Sequence, residues 1–179
     1  MPDGNRQIVL TSRPTGWVAP ENFELREGTV PEPGSGDVLV RNIFMSLDPY
    51  MRGRMNEAKS YASSFEIGEV LQARVIGEVA ASKNDGYAAG DIVFGMLGWE
   101  DYSLAKGAAS LRHVDAELAP LPYYLGALGM PGMTAWIGLR EIGQPKAGET
   151  LFVSAASGAV GQIAGQIGRI RGCRVVGSA

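Results

Sequence analysis

The chain is poor in the residues that build metal and redox centres: 179 residues hold one cysteine, Cys173, and one histidine, His113. One cysteine excludes an intrachain disulfide and any multi-cysteine zinc site. A catalytic zinc needs about three protein ligands around an open position, so no metal is expected. Cys173 sits in an apolar stretch and is expected in the core, and His113 is expected as a surface or packing residue. Long apolar runs are also lacking. No window offers the roughly 18 uninterrupted apolar residues of a membrane span, and the first seven residues form no signal core. A cytoplasmic protein with no membrane partner is expected. Finally, there is no block of like charge: 16 basic against 19 acidic residues give a net charge of -3, which disfavours nucleic acid as a partner.

What is present is an ordinary globular composition, with 45% apolar residues, enough for one substantial core or two small ones. Runs over 7–12 and 23–30, separated by Pro14, Gly16 and Pro20, predict a β pair joined by a loop. A longer strand is predicted from Asp37 to Leu47, with Val38, Val40 and Phe44 sharing a face if the chain kinks near Asn42. Val70–Val79, Ile92–Leu97 and Tyr102–Ala105 continue the series, with turns at Asn84–Gly86 and Gly90-Asp91. Many short strands predict a small β barrel or sandwich for about the first 120 residues. From Leu125 the pattern turns helical, with Leu128, Met133, Trp136, Ile137 and Leu139 near one face, and ends at Gly143-Gln-Pro145. The glycines at 126, 129, 132 and 138 weaken that helix, so they are expected to serve close packing or close approach to a ligand.

The most informative stretch is the last. Leu151–Ala156 reads as a buried parallel strand, Gly158 and Gly161 follow, and Ile163, Ile167 and Ile170 stand behind them at helical spacing. A second strand closes the βαβ pattern. A phosphate reaches a helix N-terminus only where the backbone comes close, which favours glycine there. Ala155 stands where the commonest dinucleotide fingerprint has its first glycine. The alternative is a tight turn without a ligand. In NAD-binding units a carboxylate at the end of the second strand holds the ribose hydroxyls. That place here reads Gly177-Ser178-Ala179, so NADP(H) is expected as cofactor.

Three motifs in order, Ser46-Leu-Asp-Pro-Tyr-Met-Arg-Gly53, Gly129-Met-Pro-Gly-Met-Thr-Ala135 and Ser154-Ala-Ala-Ser-Gly-Ala-Val-Gly161, resemble the medium-chain dehydrogenase/reductase superfamily. Within it they are similar to the zinc-independent prostaglandin reductases, plant alkenal double-bond reductases and bacterial curcumin reductases. Ser46 stands where zinc-dependent relatives carry a cysteine, and Ile67-Gly-Glu69 lacks their histidine. The resemblance implies a β-rich, chaperonin-10-like (GroES-like) domain over 1–124 and the first part of a Rossmann domain over 125–179. It implies NADPH-dependent reduction of the carbon-carbon double bond of small-molecule enones or enals. Alternatives are a quinone reductase of the same superfamily and a non-catalytic nucleotide-binding or interaction fragment.

On this resemblance Tyr50 faces the substrate, donating to the carbonyl oxygen as charge builds there; otherwise it is a packing tyrosine. The backbone of Gly158, Ala159, Val160 and Gly161 is expected to cradle the cofactor phosphates. Met130 and Thr134 are expected near the nicotinamide, although Thr134 equally suits a bond back to its own helix. Asp48 and Arg52 are expected to cap a short helix or to pair with each other. Trp99, Tyr102, Tyr123 and Tyr124 are candidates for an apolar pocket or for core. A Rossmann domain has about six parallel strands and only two are legible, so an excised or truncated chain is expected. Its exposed sheet edge predicts association, as a homodimer or an aggregate.

Overall fold

The two β-forming runs flanking Pro14, Gly16 and Pro20 pair as predicted. β1 (Asn5–Leu10) and β2 (Phe23–Gly28) form an antiparallel hairpin in register from Asn5↔Gly28 to Leu10↔Phe23. The computed structural model describes residues 4–60 and 62–179, and the reading of the first three residues as lacking a signal core lies outside them. The chain divides into two units, Met1–Ala116 and Glu117–Ala179. The change of pattern at Leu125 falls inside the second.

In the first unit β3 (Val38–Met45), β4 (Gln72–Ser82), β5 (Ile92–Gly98), β6 (Tyr102–Ala105) and β7 (Arg112–His113) form one antiparallel sheet in the order β6-β3-β4-β5-β7. Isolated bridges from Gln7 to Glu100 and from Val9 to Val70 tie β1 to this sheet. Leu10, Val38, Val40, Leu71, Val75, Val79 and Val93 are almost wholly enclosed and form the centre of the core. Each such side chain stabilises the unit by about 1.5–3 kcal/mol.

The kink expected near Asn42 is real. Register shifts lie between Leu39 and Val40 and between Asn42 and Phe44. The Asn42 amide secures the second by donating to the Gly98 carbonyl (3.0 Å), the Glu100 carbonyl (2.7 Å) and the Ser103 hydroxyl (3.1 Å). Its consequence for Phe44 is opposite to expectation: the irregularity turns Ile43, Phe44 and Met45 outward, and Phe44 is 41% exposed while Val38 and Val40 are buried.

Carboxylates pin the hairpin. Asn5 and Gln7 both donate to Glu100 Oε2, at 3.0 and 2.7 Å, and Ser103 donates to its Oε1 at 2.8 Å. Outside, Arg6 grips Asp101 with two bonds, Nε to Oδ2 at 2.8 Å and Nη2 to Oδ1 at 3.1 Å. The hydrogen bond from Arg6 holds the Asp101 carboxyl below its ordinary range, and the same bond raises the guanidinium.

In the second unit α2 (Met130–Ile137) continues as a π-helical turn, Gly138–Gly143, ended by Gln144 in a left-handed conformation (φ 43°). The helix begins later than Leu125. Gly129 is its cap, and a side chain on Gly129 or on Gly132 would run into the backbone of Tyr124 or of Ala127. Close packing is thus the use of these two glycines. The buried residues of α2 are the small ones, Gly132 and Ala135, whereas Met133, Trp136 and Ile137 are about half exposed. The predicted apolar face therefore does not point into this unit's interior.

β8 (Thr150–Val153) and β9 (Arg174–Gly177) are parallel, with α3 (Gly161–Ile170) connecting them, as the βαβ pattern requires. Gly168 of α3 lies directly over Leu151 and Val175. Ile170, read at helical spacing with Ile163 and Ile167, is the helix's last residue and is 84% exposed. Cys173 is buried as expected, its thiol donating to the Lys146 carbonyl at 3.4 Å.

Candidate functional site

Two constellations carry the residues singled out in the sequence, one in each unit. In the first, β3 ends at Met45, the chain passes Asp48-Pro49, and α1 (Tyr50–Arg54) begins with Tyr50. Met51, buried, anchors this short helix in the core. The Tyr50 ring packs against the same core, and its hydroxyl is enclosed with no hydrogen-bond partner among the described residues. A buried hydroxyl left unpaired costs about 1–3 kcal/mol. Such a group has its explanation either in strain or in a partner that arrives with a ligand.

Asp48 and Arg52 do not pair with each other. Arg52 instead donates to the carbonyls of Pro14 (3.0 Å) and Gly16 (3.0 Å from Nε) and to the Asn56 side chain (2.6 Å), tying α1 to the loop after β1. Nor does a side chain cap α1. The partner of Asp48 is Arg74 of β4, its Nη1 3.7 Å from Asp48 Oδ2, and the Arg74 guanidinium carbon lies 5.7 Å from the Tyr50 ring centroid. Arg74 belongs to no motif. Only the antiparallel pairing of β3 with β4 brings it beside Asp48.

The second constellation is the turn from β8 into α3. Ala155 adopts a left-handed conformation (φ 48°), which explains why glycine is common at that place. Its carbonyl accepts from Gly158 N at 2.9 Å and closes the turn. A Cβ on Gly161 would collide with that carbonyl and lie 2.9 Å from Ala156 Cα, and one on Gly158 would stand 3.1 Å from the Ala155 oxygen. Above the turn is a hollow of about 370 Å³ lined by Ser154, Ala155, Gly158, Val160 and Gly161 among others. The end of β9 runs alongside: Ala156 N donates to Ser178 O at 2.8 Å and Ser178 N to Val153 O at 3.0 Å.

These residues fit a dinucleotide. The backbone comes close where phosphate would meet a helix start, a side chain at Gly161 has no room, and the strand end beside the turn presents Gly177 and Ser178 rather than a carboxylate. Ala159 is exposed and is not among the residues lining the hollow, and neither are Met130 and Thr134. Met130 opens α2 and is 49% exposed. Thr134 Oγ1 donates to Met130 O at 2.8 Å, the bond back to its own helix. That commits its proton and leaves its lone pairs free to accept.

The aromatics do not gather into one pocket. Trp99 stacks on Phe23 (6.5 Å between centroids) and lines a hollow with Ile8 and Phe44, Tyr102 lines a different one, and Tyr123 is 55% exposed. His113 is at the surface, stacked on Tyr87 at 4.7 Å with Nε2 3.0 Å from the Gly86 carbonyl. Among the described residues no helix is long and apolar enough to cross a membrane.

Comparison with known proteins finds relatives over nearly the whole chain. The family described as the N-terminal domain of oxidoreductase matches residues 6–114. The chain is 50% identical over 175 residues to the NADPH-dependent curcumin reductase of Escherichia coli (strain K12), covering 98% of this chain and 50% of the relative. It is 46% identical to the 2-alkenal reductase (NADP(+)-dependent) of Nicotiana tabacum, over 98% of this chain and 52% of that one. The crystal structure of CurA in complex with NADPH from Vibrio vulnificus superposes with a TM-score of 0.89 at 47% identity, over 96% of this chain and 51% of that chain. The chain spans about half the length of the curated relatives it matches.

Proposed function

The chain belongs to the medium-chain dehydrogenase/reductase superfamily, in the branch of curcumin and alkenal reductases, and from that premise we propose that it carries the substrate-facing tyrosine and the dinucleotide cradle of a cytoplasmic, homodimeric NADPH-dependent reductase. Its substrates are α,β-unsaturated ketones or aldehydes, reduced at the carbon-carbon double bond. The observation that carries this reading is the turn at Ala155–Gly161, whose backbone leaves no room for a side chain at its last glycine. The backbone of Gly158, Ala159, Val160 and Gly161 holds the cofactor phosphates. Met130 and Thr134 would lie near the nicotinamide of the bound cofactor, where the Thr134 oxygen could accept a hydrogen bond. NADPH, when bound, supplies a hydride.

Tyr50 does the chain's own chemical work. As the β-carbon of an enone is reduced, negative charge grows on the carbonyl oxygen, and a hydroxyl with no partner among the described residues has its proton uncommitted for that bond. Such a bond is stronger to the developing enolate than to the ground-state carbonyl, so it accelerates the reaction rather than merely tightening binding.

The same turn and hollow also fit one second reading, a nucleotide-binding or interaction module without turnover. Titration of this chain with NADPH, followed by nicotinamide fluorescence, and NADPH consumption with a simple enone separate the two. Binding with turnover supports the reductase, and binding without turnover supports the module. Absence of binding sinks the reductase and the nucleotide-binding form of the module, and leaves an interaction module alone. Turnover of quinones in place of enones moves the assignment to a quinone reductase of the same superfamily.

A further inference from the structure

Arg74 is a residue without an assignment. It lies in β4 opposite the end of β3, where Ser46 N donates to its carbonyl at 2.9 Å. Its guanidinium faces the Asp48 carboxylate and the Tyr50 ring. Asp48 Oδ2 and Tyr50 Oη are both enclosed, and neither has a hydrogen-bond partner among the described residues. The guanidinium is 3.7 Å from the first and 5.7 Å from the ring centre of the second. The Asp48 and Arg74 side chains are only 19% and 23% exposed, so solvent screens their attraction less than at an open surface.

Tyr50 needs such support. It opens a helix of five residues, and no hydrogen bond from the described residues fixes its hydroxyl. A cation within about 6 Å of a ring centroid is attracted to it by about 0.5–2 kcal/mol. That is enough to favour one ring placement over others. Arg74 in turn has a long, flexible side chain, and the Asp48 carboxylate is what holds its charged end at the ring.

We propose that Asp48 and Arg74 are positioning residues: Asp48 holds the Arg74 guanidinium against the Tyr50 ring, and the pair keeps the Tyr50 hydroxyl directed at the carbonyl oxygen of an α,β-unsaturated ketone or aldehyde. This rests on the reading of Tyr50 as the donor to substrate. Arginine suits the place better than lysine because its flat guanidinium covers a ring face while still facing a carboxylate.

The test is carried out on the full chain with ¹³C-labelled tyrosine rings, the Tyr50 resonance being the one lost in Tyr50→Phe. Asp48→Asn and Arg74→Gln are each expected to move that resonance, the double variant no further than Arg74→Gln alone, and Asp48→Glu to return it toward its original position. An unmoved Tyr50 resonance in both single variants, with the amide spectrum still dispersed, overturns the proposal. Should Arg74→Gln not fold, Arg74→Lys keeps the charge and removes the flat group, and the same readout applies. A second titration uses 4-phenyl-3-buten-2-one as enone probe with NADPH present. The probe is expected to shift the Tyr50 resonance, with affinity about tenfold weaker in Asp48→Asn, the worth of one hydrogen bond. No response of Tyr50 to the probe, with the response to Asp48→Asn intact, sinks the enone reading alone. Equal probe affinity in the parent and Asp48→Asn sinks the positioning pair alone.

Discussion

The carbonyl oxygen of Ala155 stands where the first side-chain atom of any residue other than glycine at position 161 would have to go. The two residues close the turn from opposite ends. Ala155 reaches its place through a left-handed backbone, and α3 starts at Gly161 because nothing projects from it.

Gly161→Ala should therefore open the turn. The added carbon meets backbone, which cannot swing aside, so the second unit loses on the order of 1–3 kcal/mol, the cost of overpacking. NADPH affinity should fall with it. A thermal melt and a fluorescence titration check this, and an unchanged melt would mean that the strand and helix can separate freely. Ala155→Gly should act in the opposite sense. It removes the left-handed strain of about 1–2 kcal/mol and gives back about 0.4–1 kcal/mol through the freer unfolded chain, leaving the variant slightly more stable than its parent.

How much of this was legible in the sequence differs from residue to residue. Tyr102–Ala105 is a strand at both predicted ends, although the residues it buries are the small ones, Ser103 and Ala105, and Tyr102 and Leu104 are only partly buried. The kink near Asn42 was legible, but not that it would turn Phe44 outward. That depends on where the extra residues fall in the β3–β4 register. Ala155 was visible as a stand-in for glycine, while its positive φ required coordinates. Arg74 was not visible at all: a polar residue in an alternating strand reads as solvent-facing, and its neighbours Asp48 and Tyr50 come from another strand's end. Local pattern predicts elements, and cross-strand register decides which side chains meet.

The Arg6–Asp101 pair gives the first unit an acid limb. Asp101 is held below its ordinary value of 3.8 by the hydrogen bond from Arg6, so the folded state binds its proton more weakly than the unfolded state does. The stabilisation is complete above about pH 4 and is lost as pH falls through the lowered folded value. Arg6 is raised and stays charged throughout. Arg6→Gln should be less stable than the parent near neutral pH, with the gap closing in acid. Urea midpoints across that range check it. With the Asp101 side chain 37% exposed, the gap should also shrink in about 1 M salt.

One face of the β8–β9 sheet is covered by α3, which packs Gly168 on Leu151 and Val175. Phe152 and Val176 are paired neighbours on the opposite face, 63% and 40% exposed. Parallel sheets are ordinarily covered on both faces, so this chain should self-associate, and sedimentation should show mass rising with concentration. Phe152→Lys should return it toward monomer. A parent chain that sediments as a monomer at high concentration would remove the association.

Tyr50→Phe separates a hydroxyl kept for a ligand from one that supports the fold. Replacing a buried tyrosine by phenylalanine usually loses a hydrogen bond worth about 0.5–1.5 kcal/mol. Here the hydroxyl is enclosed and has no partner among the described residues, so its removal frees the folded chain of an unsatisfied group. The ring still packs on the core and still lies beside Arg74. The variant should be as stable as the parent, or more stable by up to about 1 kcal/mol, while binding of an enone probe weakens and its reduction slows. Urea unfolding measures the first and probe titration the second. A loss of stability comparable to an ordinary buried hydrogen bond would mean that the hydroxyl serves the fold, and the tyrosine would then have no claim to the substrate.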